Sequence, residues 1–143
     1  MFSSYILFTG AANLPIVFRE IEEFNLSKGK KLAVLPCLGK EYVITFELLL
    51  TEVTSWGSVI HFTIGGNKNN YGDRTPGLWV SKKRKLSLAS AINGTSNNQF
   101  WPQDKLDLDK WYKIEISQSS DGSQVFYKYL YCHLFHIFRV YSQ

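Results

Sequence analysis

The sequence predicts an all-β protein of antiparallel strands, on three observations. Aromatic residues are plentiful, with ten Phe, eight Tyr and four Trp in 143 residues, and aromatic side chains favour pleated surfaces. Apolar residues alternate with a period of two in several short runs, the pattern of half-buried strands. Turn-forming clusters of Gly, Asn, Asp, Ser and Pro recur about every ten residues, the spacing of a sandwich or barrel. The length suits one domain with a sizeable core.

Residues 1–15 carry a short apolar patch with no basic residue before it. They are expected to be a leader or a disordered start, and the leader would be atypical. Over 16–26 the signals conflict: Phe18, Ile21 and Phe24 have helical spacing while Phe24 and Leu26 alternate, and strand or irregular chain is favoured. Residues 31–36 form an apolar run closed by Pro36, read as a strand. Residues 41–51 are clearer, with Tyr42, Ile44, Phe46, Leu48 and Leu50 on one face. After a turn at 54–57, residues 59–64 alternate again.

The stretch that organises the chain is 65–80, GGNKNNYGDRTPGLWV. Its glycines, asparagines and Pro76 demand turns, so it reads as a loop between the strand before it and Leu78, Trp79 and Val80 after it. Tyr71, Asp73 and Arg74 are expected to be exposed at its tip. A basic turn at 82–85 leads to a strand over 86–92, closed by the turn dipeptide Asn93-Gly94. Residues 95–99 read as a second polar loop running to Phe100, Trp101 and Pro102. Residues 111–118 form another half-buried strand, 119–122 a hairpin turn, and 124–131 the returning strand.

The order of these features resembles the concanavalin A-like lectin and glucanase fold, in its laminin G-like branch. The segments that carry the resemblance are 42–47 (YVITFE), 59–65 (VIHFTIG), 72–79 (GDRTPGLW), 86–94 and 108–116 (LDKWYKIEI). Trp111 looks like the tryptophan that opens a strand of alternating apolar residues in such domains. The match covers roughly residues 30–129, within a domain assigned to 16–130. It implies a jelly-roll β-sandwich and carbohydrate or extracellular-protein ligands. A domain of this kind turns after Tyr129 and adds further strands, whereas residues 131–143 form an aromatic tail without turn residues. The sandwich is therefore expected to be incomplete at its C-terminus. The tail either stands in for a missing strand or belongs to a truncated product without independent function.

Sugar binding combines an aromatic ring with amides and carboxylates. The candidates are Asn70, Tyr71, Asp73 and Arg74 in the central loop and Asn97, Asn98 and Trp101 in the second polar loop, since loops on a rigid sandwich carry recognition. The competing reading makes Trp79, Trp101 and Trp111 core residues and the asparagines turn formers.

Other chemistries fit less well. A hydrolase of this fold needs a strand of alternating carboxylates. Glu20, Glu22 and Glu23 lack that alternation, and Asp104, Asp107 and Asp109 fall in a loop, so no enzyme is expected; a glycan-processing hydrolase remains the alternative. Asn67, Asn69, Asn70 and Asp73 could offer oxygen to calcium, but one carboxylate makes a weak site. His133 and His136 would share a helical face, yet a pair makes no zinc site. No metal or cofactor is assigned. The net charge is +4, concentrated in Lys28, Lys30 and Lys31 and in Lys82, Lys83, Arg84 and Lys85, where lysines guard strand edges. Nucleic acid is not expected as a partner. No apolar run reaches the roughly 18 residues of a membrane span. Cys37 and Cys132 allow at most one disulfide. Sequons at Asn25 and Asn93 agree with an extracellular, secreted or cell-surface protein.

Overall fold

The computed structural model describes residues 6–9, 19–20, 29–35, 41–92, 94–118, 125–131 and 134–139, and side chains over 29–35, 41–92 and 94–118. Among the described residues every regular element is a strand and every strand pairing is antiparallel. The protein is thus all-β with antiparallel sheets, consistent with a β-sandwich. No helix among these residues is long and apolar enough to cross a membrane. The chain divides into two compact units, Met1–Leu49 with Asp109–Gln143, and Leu50–Leu108.

The first unit holds a six-stranded sheet. Its members are β1 (Ile6–Thr9), β2 (Arg19–Glu20), β3 (Tyr42–Leu49), and three strands from the later chain. In the numbering of the whole chain these are β8 (Trp111–Gln118), β9 (Val125–Tyr131) and β10 (Leu134–Arg139), in the order β10-β9-β8-β3-β1-β2. The alternation of β3 does what the sequence asks of it. Tyr42, Ile44, Phe46 and Leu48 are all buried, and across the ladder Ile44 faces Ile116, Phe46 faces Ile114 and Leu48 faces Tyr112. Fully burying each such aliphatic side chain contributes about 1.5–3 kcal/mol.

Around these central strands the sequence reading and the structure agree in some segments and differ in others. The start of the chain, read as a leader or disordered segment, contributes β1, which pairs with Val43, Ile44 and Thr45. Of the ambiguous stretch 16–26, Arg19–Glu20 forms a strand, and the described residues of the expected strand at 31–36 form none. The aromatic tail places Leu134–Arg139 against β9, with Leu134 in register with Tyr131 and Arg139 with Phe126. It occupies an edge of the sheet. Because β10 is a strand, the helical spacing that would set His136 beside His133 does not apply at His136. Asn25, Asn93, Cys37, Cys132, Glu22, Glu23 and His133 lie outside the described residues.

The second unit is a four-stranded sheet, β4 (Gly57–His61), β5 (Gly77–Val80), β6 (Leu86–Ile92) and β7 (Thr95–Phe100), in sequential order. One side of it is apolar, with Leu78, Val80, Leu86, Leu88 and Ile92 buried together with Leu50 and Leu106. The register shifts between Ser58 and Ile60. That bulge lets two consecutive residues, Val59 and Ile60, both be buried, which strict alternation forbids. The expected strand over 59–64 ends at His61 because Pro76 has no N–H to give the ladder. Looser pairing continues, with the Phe62 N–H donating to the Pro76 carbonyl at 2.9 Å and the Thr75 N–H to the Phe62 carbonyl at 3.0 Å. The second polar loop, read over 95–99, is instead the edge strand β7. Its polar composition hid it, since an edge strand has less apolar surface to bury.

Candidate functional site

Trp79 lies between Leu78 and Val80 on β5, so its side chain leaves the sheet on the opposite side from theirs. Register extends that side across the sheet. Ser58, Trp79 and Ser87 form one lateral row, and Gly77, Ala89 and Gln99 form another. The middle of the face is therefore paved with small residues, and Ser87 and Ala89 are buried there. A cleft of about 190 Å³ opens above them. Trp56 and Trp101 form its wall at one end, with ring centroids 5.6 Å apart and planes at 86°. Both remain half open to solvent, at 53% and 52%.

Arg74 lines the other side of the cleft, alongside Trp79 and Gln99. Its guanidinium carbon lies 5.1 Å from the Trp79 ring centroid, a cation–π arrangement. Its Nε–H donates to Asn67 Oδ1 at 3.0 Å, one terminal nitrogen to Asn97 Oδ1 at 3.1 Å, and the other to the Asn67 carbonyl at 3.3 Å. The guanidinium is thus held in one place by neutral acceptors.

The loop that delivers Arg74 is organised by Asp73. This residue was expected at an exposed tip, but it is only 6% accessible. Its Oδ2 accepts the backbone N–H of Lys68 at 2.9 Å and of Asn70 at 3.3 Å, a carboxylate-centred turn in place of a solvent-facing ligand. Gly66 packs so close to this carboxylate that a Cβ would collide with it. His61 Nε2 donates to the Asp73 carbonyl at 2.6 Å, and its ring lies 5.5 Å from that of Trp79. The loop then reaches the far edge of the sheet. The Tyr71 hydroxyl donates to the Gly94 carbonyl, and the Ser96 hydroxyl to the Asn69 carbonyl. With the Arg74–Asn97 bond, these latch the β4–β5 connection onto the start of β7.

Of the residues singled out in the sequence, Arg74 and Trp101 both line the cleft, and Asn97 orients Arg74. Tyr71, 61% exposed, serves the latch. The Asn70 side chain is exposed while its N–H supports the Asp73 turn. Asn98 pairs with the fully buried Ser90, which puts it on the opposite face of β7 from Gln99. Sequence reasoning missed Trp56, Ser87, Ala89 and Gln99, and it named Trp79 only in the competing reading, as a core residue. The signal was present at Trp79, because a residue flanked by two inward aliphatics on a strand must point outward. Comparison with known protein families, with curated proteins and with solved structures finds no match to this chain.

Proposed function

We propose that the chain is a non-enzymatic recognition module of the concanavalin A-like, jelly-roll type, acting outside the cell and binding carbohydrate. The observation that carries this reading is the cleft on the four-stranded sheet, where Trp56, Trp79 and Trp101 surround a floor of Ser87 and Ala89. Trp56 and Trp101, both half open to solvent, offer indole surface to the apolar face of a sugar ring, while the Gln99 amide and the Arg74 guanidinium supply polar groups for hydroxyls. The site lies on a sheet face, backed by a hydrogen-bonded ladder, and is closed along one side by a latched loop. Such a surface changes little on binding and favours affinity by preorganisation.

The test is a glycan-array screen of the folded protein, with and without calcium, repeated with Trp101→Ala and Trp79→Ala. Binding of a defined glycan that falls at least tenfold in both variants supports the reading. A well-folded protein that binds no glycan rejects it.

A further inference from the structure

We propose that the cleft selects an acidic sugar, a pyranose whose carboxylate is taken by Arg74 while its ring lies against the indoles; this rests on the carbohydrate reading above. A guanidinium carries five N–H donors in a rigid fork. Three are engaged, all by neutral oxygens of Asn67 and Asn97. Among the described residues one N–H on each terminal nitrogen is left for a ligand. None of the residues lining the cleft is acidic. The neighbouring carboxylate of Asp73 accepts the Lys68 and Asn70 amides through Oδ2. The cleft therefore presents a half-buried cation with no compensating anion among its lining residues, which attracts negative charge.

The geometry favours a carboxylate over a hydroxyl. Each terminal nitrogen keeps one N–H beyond those given to Asn67 and Asn97, and a hydrogen bond from a guanidinium to a carboxylate is charge-assisted and stronger than one to a neutral hydroxyl. The guanidinium is already fixed by three hydrogen bonds and by the Trp79 ring, so little rotamer freedom is lost when the ligand arrives. At about 190 Å³ the cleft takes a single ring, and the rest of a longer chain would lie outside it. Positive charge continues there. Gln103 donates to the Trp101 carbonyl at 3.2 Å and accepts from Lys85 Nζ at 3.3 Å, and the adjoining turn exposes Lys82 and Lys83. A polymer of repeating acidic sugars would meet charge both in the cleft and beyond it.

The experiment is titration calorimetry with tryptophan fluorescence on the full chain, using tetrasaccharides from hyaluronan, pectin and alginate, each beside its carboxyl-reduced counterpart. A sulfated, carboxylate-free carrageenan tetrasaccharide and a panel of neutral tetrasaccharides complete the set. The expected result is that one acidic tetrasaccharide binds and perturbs the tryptophan emission, and that its reduced form binds at least tenfold more weakly. Arg74→Lys, which keeps the charge but loses the fork, should remove most of that preference. The comparison of acid with reduced sugar needs no variant, so it stands even if changes at Arg74 disturb the loop. Equal affinity for acid and reduced forms, or binding of neutral sugars alone, overturns the acidic preference and leaves the carbohydrate reading intact. Tighter binding of the carrageenan tetrasaccharide overturns it in favour of sulfate. Silence across every acidic and neutral sugar overturns both readings.

Discussion

The Trp79 indole folds back along its own strand onto Gly77, so that any side chain at Gly77 would occupy the same space as the six-membered part of the ring. The absence of a side chain there leaves the space that the Trp79 ring occupies. Gly77→Ala is expected to lift the indole out of place and to cost about 1–3 kcal/mol, the range for overpacking. Thermal unfolding and near-ultraviolet circular dichroism check this. An unchanged aromatic signal with unchanged stability would show that the ring does not depend on Gly77.

Asp73 is expected to act through the loop backbone. Replacing it with Ala leaves the Lys68 and Asn70 amides without their acceptor, at a cost of about 1–3 kcal/mol. Hydrogen exchange should accelerate at those two amides more than at the amides of β6. Uniform exchange changes across the sheet would contradict a local role.

Trp56 and Trp101 meet edge to face, an arrangement worth about 0.5–1.5 kcal/mol beyond the area it buries. A double-mutant cycle of Trp56→Ala and Trp101→Ala measures it. Both singles should leave the fold intact, since both rings are half exposed. Strict additivity of the two changes would mean that the rings are independent in solution.

Ile44 and Ile116 oppose one another at the centre of the six-stranded sheet, both with no accessible surface. Ile116→Ala should lower stability by about 2–5 kcal/mol through lost burial and the cavity left behind. Chemical denaturation gives the value. A loss under 1 kcal/mol would show that the sheet collapses readily around the smaller residue.

Much of the scaffold was legible because burial writes itself into alternation. β3 and β8 are read directly from Tyr42, Ile44, Phe46 and Leu48 and from Tyr112, Ile114 and Ile116, and the loop at 65–76 from its turn residues. The cleft was harder to see, for three physical reasons. Its floor is made of Ser87 and Ala89, residues whose smallness is the feature and which carry no chemical signature. Its far strand, residues 95–100, needs no apolar face and so resembles a loop. Asp73, an obvious ligand candidate by type, is spent on satisfying backbone amides, and only three-dimensional proximity reveals that. Arg74 was legible as a charge on a loop between strands, whereas the Trp79 ring beneath it belongs to a residue that the competing reading placed in the core.

The latch between the β4–β5 connection and β7 bears on how this protein tolerates change in length. Surface connections ordinarily accept insertions and deletions, since their ends alone are fixed. Here Asn69, Tyr71 and Arg74 are each matched to a fixed point near or on the opposite edge strand, at Ser96, Gly94 and Asn97. Adding or removing one residue between Asn67 and Arg74 would shift these anchors out of step together, whereas single substitutions remove them one at a time. The spacing of the segment is therefore under tighter constraint than its composition.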